Sequence, residues 1–177
     1  MKIGLVGLGP WGQNYLKTIK KIPDLELKWV YSPNRKNEKN LPQHCKLVND
    51  YNILLEDNQL DSIIISTPPS THYELTKKAL LAGKNVLVEK PMTLFSNESL
   101  ELKKISEFES RVLMVGHIYL YNPATLELKK MIDKGELKEI VGFYSNISNF
   151  KPSRRDVSVM WDFAPHSISL MNFLIGK

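Results

Sequence analysis

The fold is decided near the start of the chain, where residues 3–12 read Ile-Gly-Leu-Val-Gly-Leu-Gly-Pro-Trp-Gly. The apolar run at its beginning predicts a short buried strand, and the glycines after it match the pattern Gly-x-Gly-x-x-Gly. Between a strand and a helix, the first glycine permits the tight turn and the second lets the backbone approach a pyrophosphate. The third lets helix and strand pack closely. We therefore predict a dinucleotide-binding loop, whose candidate residues are Gly7, Gly9, Pro10, Trp11 and Gly12.

The sequence after this loop alternates between strand and helix. Hydrophobic patterning predicts a helix with Trp11, Tyr15, Leu16 and Ile19 at helical spacing, and further strands and helices follow it. Such alternation is typical of a parallel, doubly wound α/β sheet, in which the carboxyl ends of the strands share the edge that binds ligands. Gly83 is placed to close one helix in the left-handed conformation, and Ser96 to cap another. The predicted strands are 3–6, 25–31, 61–66, 85–89 and 112–115, and the predicted later helices are 50–55, 73–81 and 96–108.

The pattern changes beyond Asn122-Pro123. We expect a helix over 124–134, a longer strand over 139–147 and a last helix beginning near Asp162. One strand and two helices form only an incomplete α+β second domain. We therefore divide the chain into an NAD(P)-binding Rossmann domain, 1–118, and a partial substrate or dimerisation domain, 119–177. Apolar residues on this half-built domain predict a homo-oligomer.

Composition excludes several classes of protein and site. The 177 residues carry a formal net charge of +5, but no block of like charges indicates a nucleic-acid arm or a membrane-binding tail. Cys45 is the only cysteine, and the four histidines are scattered, so no intrachain disulfide and no metal site is expected. The apolar run at the N-terminus is too short for a signal peptide or a spanning helix, and we expect a cytoplasmic protein.

The end of the second predicted strand bears on the choice of cofactor. NAD enzymes usually carry an acidic residue about twenty positions beyond the glycines, where it binds the adenosine ribose. Residues 31–36 read Tyr-Ser-Pro-Asn-Arg-Lys and contain no carboxylate. Ser32, Asn34 and Arg35 are therefore candidates for holding a 2′-phosphate, which favours NADP. The alternative is a basic surface turn beside an NAD that lacks its acidic partner.

Two further groups of residues are candidates for a catalytic role. Lys90, in Glu89-Lys90-Pro91, follows a central strand, where it is either a solvated strand end or a cation at the cofactor crevice. Asp162 and His166 lie four positions apart on one helix face. They are either a capping aspartate with a partly buried histidine, or a general base oriented by a carboxylate. No Gly-x-Ser-x-Gly elbow indicates a serine hydrolase.

Taken together, these segments resemble the Gfo/Idh/MocA family of oxidoreductases in their order and approximate spacing. The resemblance extends over nearly the whole chain, and the combination of motifs is far more specific than any one of them. The segments that carry it are 7–12, 66–72 (Ser-Thr-Pro-Pro-Ser-Thr-His), 89–91, Gly116-His117, Asn122-Pro123 and 162–166 (Asp-Phe-Ala-Pro-His).

The resemblance implies an NAD(P)-dependent dehydrogenase that moves a hydride between a sugar hydroxyl carbon and the nicotinamide. It places Lys90, Asp162 and His166 at the family's catalytic positions. In that scheme His166 takes the hydroxyl proton, Lys90 stabilises negative charge on the same oxygen and Asp162 orients the pair. It further implies that Thr67, Pro68, His72, Glu89 and Lys90 lie along the nicotinamide ribose, and that the substrate meets His117, Tyr121 and Asn122.

Residues 154–162 look most like members that act on nucleotide-linked sugars such as UDP-N-acetylglucosamine. Arg154 or Arg155 would then meet the diphosphate, although an exposed basic loop explains them equally well. Two features depart from the family: Ser169 stands where many members carry a second aspartate, and family chains run to about twice this length. The alternative function is therefore a nucleotide-binding remnant or regulatory module without turnover.

Overall fold

A computed structural model of the chain describes residues 1–33, 38, 41–148 and 157–176. Its residues group into two units, Met1–Val115 and Gly116–Lys177. All strands of the described residues lie in the first unit. Within the part of the chain that the structure describes, no helix combines the length and the apolarity that crossing a membrane requires.

The first unit is built on one parallel sheet of six strands in the order β3-β2-β1-β4-β5-β6. This order reverses direction beside β1, which is the arrangement of the Rossmann fold, so the predicted fold class is confirmed. The strands are β1 (Lys2–Val6), β2 (Glu26–Tyr31), β3 (Lys46–Val48), β4 (Ser62–Ile65), β5 (Asn85–Val88) and β6 (Leu113–Val115). The helices are α1 (Pro10–Ile19), α2 (Asn52–Glu56), α3 (His72–Leu81) and α4 (Ser96–Phe108).

Both faces of the sheet are covered, which explains why its strands are nearly continuous runs of apolar residues. Successive side chains of a strand point to opposite faces, and β1 supplies Leu5 to one apolar cluster and Val6 to the other. Both side chains are fully buried. The central position of β1 and β4 in this core holds their carboxyl ends in fixed register.

Two local predictions in the first unit need correction. The sequence pattern does not indicate β3, because its three residues are too few to show the alternation of a strand. Ser96 does not cap α4: it is the first residue of that helix, Phe95 occupies the cap position, and no described side chain bonds there. Gly83 does follow α3 with a φ of 72°, as predicted.

The described residues of the second unit form helices only. A 3₁₀ turn (Ile118–Tyr121) leads into α5 (Pro123–Asp133), and α6 (Val159–Ile175) follows later. The strand predicted over 139–147 is wrong, since residues 138–148 have no regular secondary structure. Their alternating apolar residues favour a strand, but a strand needs a hydrogen-bonded neighbour, and the described part of this unit supplies none.

The last helix begins earlier than predicted. α6 starts at Val159 rather than near Asp162, because Ser158 occupies the cap position. The Ser158 hydroxyl accepts a hydrogen bond from the backbone N–H of Trp161 at 3.2 Å. Asp162 consequently lies in the first turn of the helix, where a carboxylate is favoured by the helix dipole.

Candidate functional site

The glycine loop joins the end of β1 to α1, and packing requires two of its three glycines. Gly7 has a φ of 98°, and a Cβ there would lie 2.8 Å from the carbonyl oxygen of Ser66. A Cβ on Gly12 would collide with the carbonyl oxygen of Gly7. Gly7 therefore lets the turn after β1 adopt a left-handed conformation and lie against the start of the loop after β4, whereas Gly12 lets α1 pack closely against that turn.

Gly9 has a different role, because nothing lies within 4 Å of the position its Cβ would take. Its φ is −65°, which any residue adopts easily. Neither packing nor backbone conformation therefore explains a glycine here. The space beside it fits the close approach of a pyrophosphate, which is the chemistry that the pattern predicts.

α1 begins directly after Gly9, so its first backbone N–H groups, which point towards the start of the helix, lie next to this residue. Gly9 is the cap residue and Pro10 the first helical residue, where its missing N–H costs nothing. Among the described residues, no side chain caps this end, and the first turn contains no acidic residue. Such a helix start binds anions through the N–H groups of the first turn, here those of Trp11 and Gly12.

The carboxyl end of β2 carries the residues predicted to choose between NAD and NADP. Ser32 follows the strand and is buried, while Pro33 is exposed. Asn34 and Arg35 lie outside the described residues, as do the predicted substrate residues Arg154 and Arg155.

The loop after β4 carries Thr67, Pro68 and His72. The Ser66 hydroxyl at its start donates towards the carbonyl oxygens of Val6 and Gly7, each at 3.2 Å, which ties the loop to the glycine turn. The Thr67 and Thr71 hydroxyls share a hydrogen bond of 2.7 Å. Pro68 is exposed and Thr67 half-buried, so the loop presents this part of its surface outward.

His72 joins two loops at this edge of the sheet and is 1% exposed. Its Nδ1 lies 2.8 Å from the carbonyl oxygen of Pro91, and its Nε2 lies 2.9 Å from that of Thr67. Carbonyl oxygens only accept hydrogen bonds, so both contacts form together only when the ring carries two N–H groups. The ring thereby connects the loop after β4 to the loop after β5.

Glu89 and Lys90 follow β5 at the same edge. Glu89 is 6% exposed, and Oε1 of its carboxylate accepts a hydrogen bond of 2.6 Å from the Tyr15 hydroxyl on α1. Its Oε2 accepts from the backbone N–H of Lys90 at 3.3 Å. Burial, followed by the hydrogen bond and the charge of Glu89, raises the pKa of Tyr15 far above its ordinary value of 10.0, so the hydroxyl keeps its proton.

Tyr15 is a residue that the sequence reasoning missed as part of this site. Its spacing identified it only as a member of the helix after the glycines. No sequence pattern connects it with Glu89, which is 74 positions away.

The second unit contains the other two predicted catalytic residues, both on α6. His166 is buried to 8% exposure, and its ring meets that of Tyr119 edge-to-face with 4.7 Å between the ring centres. Asp162 lies one turn earlier and is half-buried. The Ser169 hydroxyl donates to the backbone carbonyl of His166 at 2.9 Å, so this departure from the family pattern serves the helix itself.

The predicted substrate residues at the start of the second unit lie in and around its 3₁₀ turn. Tyr121 is 63% exposed, and His117 is half-buried. Asn122 caps α5, because its Oδ1 accepts a hydrogen bond of 2.9 Å from the N–H of Ala124.

Comparison with known proteins places the chain among oxidoreductases. Residues 1–117 match a family model, named for Gfo, Idh and MocA, that describes an oxidoreductase family with an NAD-binding Rossmann fold. The uncharacterised oxidoreductase YdgJ of Escherichia coli is 31% identical over 99% of this chain and 54% of its own length. A crystal structure of an oxidoreductase from Klebsiella pneumoniae has a TM-score of 0.86 at 29% identity, covering 99% of this chain and 51% of that one.

Some relatives have named activities. A UDP-N-acetylglucosamine 3-dehydrogenase of Acidithiobacillus ferrooxidans is 27% identical, over 99% of this chain and 55% of its own length. Two scyllo-inositol 2-dehydrogenases of Bacillus subtilis, one named for NADP(+) and one for NAD(+), are 25% and 26% identical, over 44% and 54% of their own lengths. The two alignments extend over 91% and 99% of this chain, respectively.

This chain thus spans about half the length of the relatives and solved structures that it matches. The family model covers the whole first unit, including the glycine loop and the Glu89-Lys90 end of β5. The chain belongs to the Gfo/Idh/MocA family of oxidoreductases, and its first unit is the NAD-binding Rossmann fold of that family.

Proposed function

We propose that the chain is an NAD(P)-dependent dehydrogenase that transfers a hydride between a hydroxyl-bearing carbon of a sugar or nucleotide sugar and the nicotinamide. The observation that carries this proposal is the open space beside Gly9, bordered by the N-terminus of α1 at the edge where the strand order reverses. Both features suit a bound pyrophosphate. The sugar substrate class is supported by the named activities of relatives.

The proposed chemistry needs a group that stabilises charge and a group that takes a proton. Lys90 would stabilise negative charge developing on the substrate oxygen, as a cation does for a forming alkoxide. His166 would accept the hydroxyl proton, and Asp162, one helical turn earlier, would orient the imidazole. Bound NADP or NAD supplies the hydride acceptor.

We propose NADP as the preferred cofactor. An acidic residue that would hold the adenosine ribose of NAD is missing from positions 31–36. Ser32 and Arg35 are suited to a 2′-phosphate through a hydroxyl and a charged donor. The two named inositol dehydrogenases, one for each cofactor, show that relatives of this similarity differ in this choice.

A Lys90→Ala variant tests the catalytic part of the proposal. With NADP and a panel containing scyllo-inositol and UDP-N-acetylglucosamine, we expect the variant to lose about 100-fold or more in kcat, measured by absorbance of the reduced cofactor. Lys104→Ala, an exposed position on α4, is the matched control and should keep the rate of the unaltered chain.

Two results would contradict the proposal in different ways. Undiminished turnover by Lys90→Ala would remove the catalytic role of this lysine. Tight binding of the dinucleotide by the unaltered chain, without turnover of any substrate in the panel, would favour the alternative of a nucleotide-binding module.

A further inference from the structure

A half-buried tyrosine on α1 and a buried glutamate at the end of β5 form a direct side-chain contact. The Tyr15 hydroxyl donates to Glu89 Oε1 at 2.6 Å, and both groups belong to the first unit. Bonds of this length between oxygens are typical of an acceptor that carries charge. Because Glu89 is only 6% exposed, this bond is shielded from the water that would otherwise compete for it.

The same carboxylate also holds the backbone that leads to Lys90. While Oε1 accepts from Tyr15, Oε2 accepts from the N–H of Lys90 at 3.3 Å. The orientation of this carboxylate is therefore set from α1, and it in turn restrains the peptide that begins the loop after β5.

The two ends of this connection belong to opposite halves of the sheet. In the order β3-β2-β1-β4-β5-β6, a bound dinucleotide would lie across the reversal, with its adenosine half over β1–β3 and its other half over β4–β6. α1 follows β1 and carries the glycine loop, whereas Glu89 ends β5. The Tyr15–Glu89 pair is thus a direct side-chain connection between α1, the helix that follows the glycine loop, and the half of the sheet that would receive the nicotinamide.

We propose that Tyr15 is a positioning residue, which fixes Glu89 and, through it, the Lys90 peptide for the nicotinamide half of the bound dinucleotide. This inference rests on the proposed function, since it assumes that a dinucleotide binds across this edge. It requires that loss of the Tyr15 hydroxyl affects the two halves of the ligand unequally.

The test compares Tyr15→Phe with Tyr51→Phe, which removes the hydroxyl of a buried tyrosine elsewhere in the same unit. Tyr51 donates to the backbone carbonyl of Leu75 at 3.0 Å, within the same unit. Isothermal titration calorimetry measures the affinity for NADPH and for 2′,5′-ADP, which contains only the adenosine half. If the unaltered chain binds NADH better, NADH and ADP replace them.

Tyr15→Phe should weaken NADPH binding about tenfold and leave 2′,5′-ADP binding within about twofold. The reason is that the substitution frees only Glu89 and the Lys90 peptide at the end of β5, which the adenosine half would not contact. Tyr51→Phe should change neither affinity, even if both variants melt at lower temperature. A Glu89→Gln variant should likewise bind NADPH more weakly while keeping its affinity for 2′,5′-ADP. Adding Tyr15→Phe to Glu89→Gln should then lower the NADPH affinity by a smaller factor than Tyr15→Phe does in the unaltered chain. Glu89→Gln also serves if Tyr15→Phe fails to fold.

Equal weakening of both ligands, or unchanged NADPH binding by Tyr15→Phe, would overturn the inference while leaving the proposed function in place. Additive effects of the two substitutions would overturn it as well, since they would mean that Tyr15 does not act through Glu89. Failure of the unaltered chain to bind NADPH and NADH would overturn the proposed function, and this inference with it.

Discussion

At the scale of single residues, the three glycines of the loop serve different physical needs although they belong to one motif. Gly7 and Gly12 are required by packing, because a Cβ at either position would meet backbone atoms. Gly9 is not, because its Cβ would meet open space. The motif therefore combines two glycines that packing requires with one that packing does not require.

This difference predicts opposite results for two alanine substitutions. Gly12→Ala should lower the free energy of unfolding by about 1–3 kcal/mol, because the added Cβ overpacks the contact with Gly7. Gly9→Ala should change that free energy by less than about 0.5 kcal/mol. It should nevertheless weaken NADPH binding by about tenfold or more, since its Cβ would fill the space that we propose for the pyrophosphate.

Thermal melting and NADPH fluorescence titration on both variants check this prediction. Each variant is the control of the other, because both add the same methyl group to the same loop. A Gly9→Ala variant that melts far below the unaltered chain, or that binds NADPH with unchanged affinity, would contradict the assignment of its role.

At the scale of elements, Asp57 connects segments at the edge of the sheet opposite the glycine loop. Its Oδ2 accepts from the Lys28 ammonium and from the Trp29 indole, each at 2.6 Å, so it binds the turn after α2 to β2. Its backbone carbonyl accepts from the buried Lys84 ammonium at 2.6 Å, which brings in the start of β5.

These contacts predict how acid affects stability. Desolvation alone would raise the pKa of Asp57, but hydrogen bonds from Lys28, Trp29 and Gln59 and the charge of Lys28 outweigh it and lower the pKa from 3.8 to about 2. Because the folded-state pKa is below the unfolded one, the stabilisation is complete above pH 3.8 and is lost as the pH falls towards 2.

Asp57→Asn should therefore reduce the free energy of unfolding at neutral pH. The difference in unfolding free energy between the variant and the unaltered chain should shrink as the pH falls from 3.8 towards 2. Urea unfolding at a series of pH values measures this. Glu56→Gln, at an exposed position on α2, is the control. A difference between Asp57→Asn and the unaltered chain that stays constant from pH 6 to pH 2 would show that the carboxylate charge contributes nothing.

At the scale of the whole molecule, the second unit leaves large apolar side chains uncovered. Val141 is 94% exposed and Tyr144 is 89% exposed, in a segment whose alternation predicts a strand. Exposed apolar surface of this kind favours self-association. We propose that the chain forms a homo-oligomer through this segment.

Sedimentation velocity at several concentrations tests this proposal. We expect association that increases with concentration and that a Val141→Glu, Tyr144→Glu double variant weakens, because a charge buried at an apolar interface is costly. Phe108→Glu, at an 87% exposed position in the first unit, is the control and should leave association unchanged. A monodisperse monomer at all concentrations would contradict the proposal.

The sequence by itself determined the Rossmann fold, the place of the glycine loop and most helix and strand positions of the first unit. These features depend on local periodicity and on the conformational freedom of glycine, which neighbouring residues in the chain display directly. It also determined the family, because several motifs occur in the right order.

Only the tertiary structure decided features that depend on distant partners. The expected strand over 139–147 is absent because strand pairing requires a neighbour that local alternation cannot provide. The different roles of Gly9 and Gly12 depend on what surrounds them in space. The Tyr15–Glu89 bond joins residues 74 positions apart, and only the packing of α1 against the end of β5 brings these two side chains together.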